Sequence, residues 1–290
     1  RPNSRNLSNH IQFFEYQDTN YLSMLNTRNN SIEFYNLDAM QFSKELKIQI
    51  KGNNSFGGVT SFYVSNFDTI YLISSKPKKI GIINSSGGIS KVIAYEKEKS
   101  NRTTSTDIPL GGQRPFLLEN KIYLGQVNAA RESGGKLTET GQRNSFINLT
   151  ISIITGEISS SPLTYPMELI GKNVCIMHIE RTIGFKDCFV YHFGFINNLF
   201  ITDNHKKFIS IPLEMNYDLK ISYKAKSNLK KGLEEKLIHD EIINIYYDKY
   251  RECYYLIIRK REPNYIRNSS ITTHFIYPDC FILVLDKNLH

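Results

Sequence analysis

The sequence predicts an all-β chain, a β-propeller of four-stranded antiparallel blades. Three observations carry that prediction. The composition favours strands and turns: 18 Tyr and 17 Phe with no Trp, among many Asn and Ser. A strand–turn–strand unit recurs at intervals of about 50 to 76 residues, a spacing that suits propeller blades with their connections. Helical periodicity is confined to one short stretch.

The clearest unit spans residues 57–93. Its first strand covers 58–64, and Ser65-Asn66-Phe67-Asp68 reads as a turn. The second strand is 69–73. Lys76-Pro77-Lys78 ends it, because proline has no donor for a central ladder. The third strand is 79–84. Ser85-Ser86-Gly87-Gly88 offers residues suited to positive φ, and 89–93 is the fourth strand.

Four further units follow the same plan: 12–17, 20–25 and 31–37; 115–118, 121–125 and 146–154; 187–195, 198–202 and 207–212; 242–248, 253–259 and 280–285. Their second strands align on Tyr21-Leu22, Tyr71-Leu72, Tyr123-Leu124, Leu199-Phe200 and Tyr255-Leu256. Sandwiches and barrels show no unit of this size. One helix is predicted at 227–239, with Leu229, Leu233 and Leu237 on one face and Ser227 as N-cap. It reads as an insertion between blades. The expectation is a single propeller domain over 1–290. The fifth unit lacks a fourth strand, and the chain opens without Met, so a longer natural protein is expected.

The stretch Asp68-Thr69-Ile70-Tyr71-Leu72-Ile73, with Lys79-Ile80-Gly81-Ile82-Ile83-Asn84 and Gly87-Gly88, resembles a blade of the NHL-like six-bladed propellers. More narrowly, the chain resembles uncharacterised propeller lipoproteins secreted by Bacteroidetes, a domain family of unknown function. That resemblance implies six blades, export to the periplasm or cell surface, and a lipid-anchored N-terminus. No lipobox cysteine stands in residues 1–20, so the anchor would lie outside this chain. The resemblance carries no activity with it.

Catalytic signatures are missing. The sequence has no GxSxG elbow, HExxH, P-loop, GxGxxG or EF-hand loop. Seven histidines are scattered, with no two at i,i+2 or i,i+4 on one element. His178 and His192 sit in apolar surroundings that suit hydrogen-bonded core residues. Glu234-Glu235 and Asp240-Glu241 are neighbours in sequence and read as solvated charge. Four cysteines form no metal-ligand spacing, although Cys175 and Cys188 could close a short loop. No cofactor and no metal are expected.

Lys plus Arg number 36 against 28 acids, a net +8. That balance permits an anionic partner without demanding one. The connections between second and third strands are 26–31, 74–79, 126–145, 203–207 and 259–274. Together they carry at least as much net positive charge as the whole chain. If the strand assignment holds, these loops share one face, and loops on a rigid scaffold are where binding concentrates. The candidate ligand-binding residues are Arg28, Lys76, Lys78, Arg131, Arg143, Lys206, Arg261 and Arg267. Tyr265 adds a stacking surface. Arginine forks suit carboxylate, sulfate or phosphate.

The expected function is a non-enzymatic binding or scaffold module of the cell envelope. It would engage an anionic glycan, a peptide or a protein partner through this basic face, as a monomer. The alternative is a glycan hydrolase or lyase with residues from several blades at the channel mouth. No nucleic acid is expected, since an interleaved basic–aromatic stripe is wanting. No apolar run approaches the roughly 18 residues of a membrane span, so membrane contact would come only through a lipid anchor.

Overall fold

The computed structural model of the chain describes residues 7–52, 55–75, 77–95, 102–104, 114–128, 139–143, 146–171, 179–193, 197–202, 206–213, 240–260 and 280–290. Five antiparallel sheets follow one another along the chain. The first holds β1 (Leu7–Tyr16), β2 (Thr19–Asn26), β3 (Ser31–Asn36) and β4 (Gln41–Lys47). The second holds β5 (Ser61–Asn66), β6 (Thr69–Ser75), β7 (Lys78–Ile83) and β8 (Ile89–Ala94). In the third, β9 (Arg102–Thr104) precedes β10 (Phe116–Leu118), β11 (Lys121–Asn128), β12 (Asn148–Ser152) and β13 (Ile158–Ser160). β9 pairs with the far end of β11. The fourth holds β14 (Ile179–Ile183), β15 (Phe189–Phe193), β16 (Asn198–Thr202) and β17 (Ile209–Pro212); the fifth holds β18 (Glu241–Asp248), β19 (Cys253–Arg259) and β20 (Cys280–Asp286).

Apart from β9, strands within each sheet pair in sequence order. That up-and-down order is the blade of a β-propeller. The described residues form five blades, not the six that the resemblance implied. The sequence itself showed only five units, and the sixth came from analogy. The helix expected at 227–239 lies outside the described residues, as does Cys175. The one α-helix among the described residues is α1 (Glu139–Arg143), in the connection from β11 to β12.

The chain divides into two compact units. One comprises Arg1–Ala129 with Phe146–Ser161, the other Ala130–Ser145 with Pro162–His290. In the first unit, alternation along β6 feeds two cores. Ile70 and Leu72 pack with Leu25, Ile32 and Phe34 of the first blade. Tyr71 and Ile73 pack with Ile122, Leu124 and Ile151 of the third. A strand covered on both faces has no polar alternation, which is why Thr69–Ser75 reads as one apolar run. Leu72 is wholly buried, and burial of such a side chain contributes roughly 2 kcal/mol. In the second unit, Val190 and Leu199 pack with Ile242, Leu256 and Ile258.

Tight turns close the first hairpins. Gln17 and Asp18 both take positive φ, as do Glu119 and Asn120. Two successive positive φ values match the twist of antiparallel strands. Gly87 also takes positive φ, as its turn composition predicts.

The fourth blade departs from the sequence reading. Its first strand is β14, which was not anticipated, so residues 198–202 form the third strand and not the second. Glu180 and Arg181 interrupt the apolar pattern of β14 and hide it.

Candidate functional site

Buried polar side chains gather at one end of the sheets. In each blade this is the end that carries the connection between second and third strands. In the first unit it holds Asn26, Ser31 and Glu33, then Ser61, Ser74 and Ser75, then Asn148, all buried. In the second unit it holds Glu180, Arg181 and His192 on the fourth blade, and Asp240 and Arg259 on the fifth. Burying a charge costs several kcal/mol unless partners meet it, so such a concentration marks a built feature.

First strands of successive blades pack side by side in each unit, β1 on β5 and β14 on β18. A side chain joins the first pair. Gln12 Nε2 donates to the Val64 carbonyl at 2.7 Å, and the Val64 amide donates to Gln12 Oε1 at 2.7 Å. Two residues earlier, His10 Nδ1 lies 3.1 Å from the Ser61 hydroxyl. Burial, reinforced by the Arg114 guanidinium, pushes His10 down to about 4. The ring is therefore neutral at pH 7 and can accept from Ser61. On the first blade, Glu33 accepts from Asn26 Nδ2 and from the Tyr35 hydroxyl, both at 2.8 Å. Burial raises Tyr35 to about 12, helped by Glu33.

In the second unit, Glu180 stands directly opposite His192. Alternation puts them on the same sheet face as Val190, which packs on the fifth blade. Arg181 stands opposite Tyr191. Burial pulls Arg181 down to about 10, opposed by Tyr191 and Glu180, and it stays charged at pH 7. Among the described residues, no three of His, Cys, Asp and Glu come together as metal ligands would.

The anticipated site residues are only partly brought together. Arg28 lies exposed in the turn between β2 and β3, and Lys78 opens β7 half-buried, each at the polar end of its blade. Arg143 ends α1, with Nη2 and Nε on Glu139 Oε1 at 2.7 and 3.1 Å, so its charge is already met. Lys206 sits between β16 and β17, at the opposite end of its sheet, because the fourth blade begins one strand earlier than expected. Lys76, Arg131, Arg261, Tyr265 and Arg267 lie outside the described residues. Arg114, Arg181, His10 and Ser61 were missed. A charged pair inside an otherwise apolar strand, as in Ile179–Ile183, is the one signal that could have pointed to Arg181.

These features define a propeller-fold protein with charged side chains buried at the ends of its blades. A family model described as a domain of unknown function, DUF4221, matches residues 3–290, and the chain belongs to that family. A member of DUF4221 from Bacteroides vulgatus has a similar structure, with a TM-score of 0.81 at 18% identity over 99% of this chain and 81% of that one. A Bacteroides fragilis protein described as exported gives a TM-score of 0.56 at 12% identity, over 99% of this chain and 71% of that one. No curated protein sequence matches.

Proposed function

We propose that the chain is a non-enzymatic binding module that holds an anionic partner at the polar end of its blades. The partner would be an acidic glycan, or a peptide or protein carrying carboxylates. One observation carries the reading: in the first unit Arg28 and Lys78 stand at the polar end of neighbouring blades; the second unit has the same pattern on its own blades, with Arg181 on β14 and Arg259 on β19 buried at that end. A guanidinium fork is weakly hydrated and suited to bidentate carboxylate recognition. The moderate net charge of +8 speaks for a discrete anion over nucleic acid. Export to the periplasm or cell surface completes the reading, supported by the Bacteroides relative described as exported, and the module would act as a monomer. A lipid anchor, where present, would lie outside this chain.

Thermal shift with uronic-acid and sulfated glycans, neutral glycans and acidic peptides tests it, at low and moderate salt. Ligand at 100 times its dissociation constant adds about 2.7 kcal/mol. The expected result is a salt-sensitive rise with anionic compounds, lost in the Arg28→Glu/Lys78→Glu variant. Equal shifts in wild type and variant would overturn the assignment. Breakdown of a glycan during the assay would replace it with the hydrolase or lyase reading.

A further inference from the structure

Two carboxylates face each other on the first blade. Glu33 of β3 and Glu45 of β4 stand directly opposite in the antiparallel register, which puts their Cβ atoms about 5 Å apart. Ile32, Phe34 and Leu46 pack toward the second blade, so by alternation Glu33 and Glu45 share the other face. Ser31 precedes Glu33 by two residues on that face, opposite Lys47. Ser31 and Glu33 are 0% and 5% exposed, and the Glu45 side chain is 26% exposed.

The acceptors in this set outnumber their donors. Glu33 Oε1 accepts from Asn26 Nδ2 and Oε2 from the Tyr35 hydroxyl, which leaves a further lone pair on each oxygen. Glu45 Oε1 and Ser31 Oγ are buried and have no hydrogen-bond partner among the described residues. Lys47 lies 3.9 Å from Glu45 Oε2 with its side chain 77% exposed, and such a pair contributes little. Like charges directly opposite on neighbouring strands repel, and a buried acceptor without a donor is costly. A cation between the two strands would relieve both.

The donor set selects the ion. Every donor is oxygen, with no His or Cys among them, which favours a hard cation over zinc or copper. Carboxylates that can offer one oxygen or two suit the adaptable shell of calcium better than the strict octahedron of magnesium. The burial of Ser31 and Glu33 favours a bare ion over the long side chain of a basic partner.

We propose that β3 and β4 hold a calcium ion between Glu33, Glu45 and the Ser31 hydroxyl, with water completing its shell. A dissociation constant of about 0.1 to 1 mM is expected, the range of extracellular calcium modules. With two carboxylates and a hydroxyl, the site differs from the clusters of three His, Cys, Asp or Glu that the described residues lack. It lies at the polar end of its blade, beside the turn that carries Arg28, but does not rest on the anionic-partner reading.

Terbium titration with tyrosine excitation tests the proposal. Terbium replaces calcium at oxygen sites, and Tyr35, bonded to Glu33, would be its antenna in a chain without Trp. The expected result is saturable sensitised emission, displaced by calcium at concentrations at least about tenfold below those of magnesium. Tyr35→Phe should dim the emission and keep the rise in melting temperature with calcium. Glu45→Gln should weaken terbium at least about tenfold and abolish the calcium-induced rise. If Glu45→Gln does not fold, Ser31→Ala should show both losses in weaker form. Equal terbium binding by wild type and the folded variant would overturn the proposal. So would a melting temperature that ignores calcium but rises in Glu45→Gln, since the pair would then share a proton instead. No anionic ligand enters these measurements, so their failure would leave the anionic-partner reading untouched.

Discussion

Phe56 and Gly81 form a matched pair: the ring occupies the space that a side chain at 81 would fill. Gly81→Ala should therefore destabilise the protein by about 2 kcal/mol through overpacking. The check is a urea midpoint, with Phe56→Leu in the same chain recovering part of the loss. A Gly81→Ala variant as stable as wild type would mean that the ring moves aside freely. Gly184 has the same logic in the other unit, where a Cβ would collide with the Tyr254 hydroxyl that accepts from the Phe185 amide. His10 governs a pH response. Its folded value, about 4, lies below the ordinary histidine value of 6.5. The unfolded chain thus binds the proton first as pH falls. The stability held above pH 6.5 is lost between 6.5 and 4, by up to roughly 3 kcal/mol. His10→Gln should flatten the melting temperature across that window relative to wild type. Identical profiles for the two proteins would sink the assignment.

At the level of elements, legibility followed burial. The strand β6 was read to within two residues because both its faces are apolar. Strand β4, Gln41–Lys47, was passed over because its outer face alternates polar residues with Phe42. Strand β14 was lost because Glu180-Arg181 looks like a loop until neighbouring strands cover it. That loss shifted the fourth blade by one strand and put Lys206 at the wrong end. Outer strands elsewhere carry protection: Lys44 and Lys47 on β4, Lys91 on β8, and Pro212 closing β17. The strand β20 has none before Asp286, and Ile282 and Val284 are more than half exposed. Among the described residues it has no fourth-strand neighbour. Ile282→Lys with Val284→Lys should lower light scattering at high concentration while leaving the melting temperature within a few degrees. Unchanged scattering would mean that this edge is not the sticky one.

Across the whole molecule, the fold was legible and the site much less so. Period, turn chemistry and two-faced strands are local signals, and they gave the blades. A buried charge is not a local property. Arg181 and Arg259 acquire their meaning only once strand order assigns them to the same end as the second-to-third connections. Loop charge points to Arg28 and Lys78, whereas Arg181 lies within a strand, where loop charge gives no signal. The Gln12 clamp carries one further consequence. Its primary amide imitates a peptide group, so the seam between two blades is closed by a replaceable rung and not by the chain's own ladder. Amide exchange in the native state should reveal this directly. In Gln12→Ala the Val64 proton should exchange far faster, while that of Ile70 in the sheet beside it keeps its wild-type rate. Opening would then be local to that rung, because the shared core of Leu25, Ile32, Phe34, Ile70 and Leu72 still holds the first two blades together.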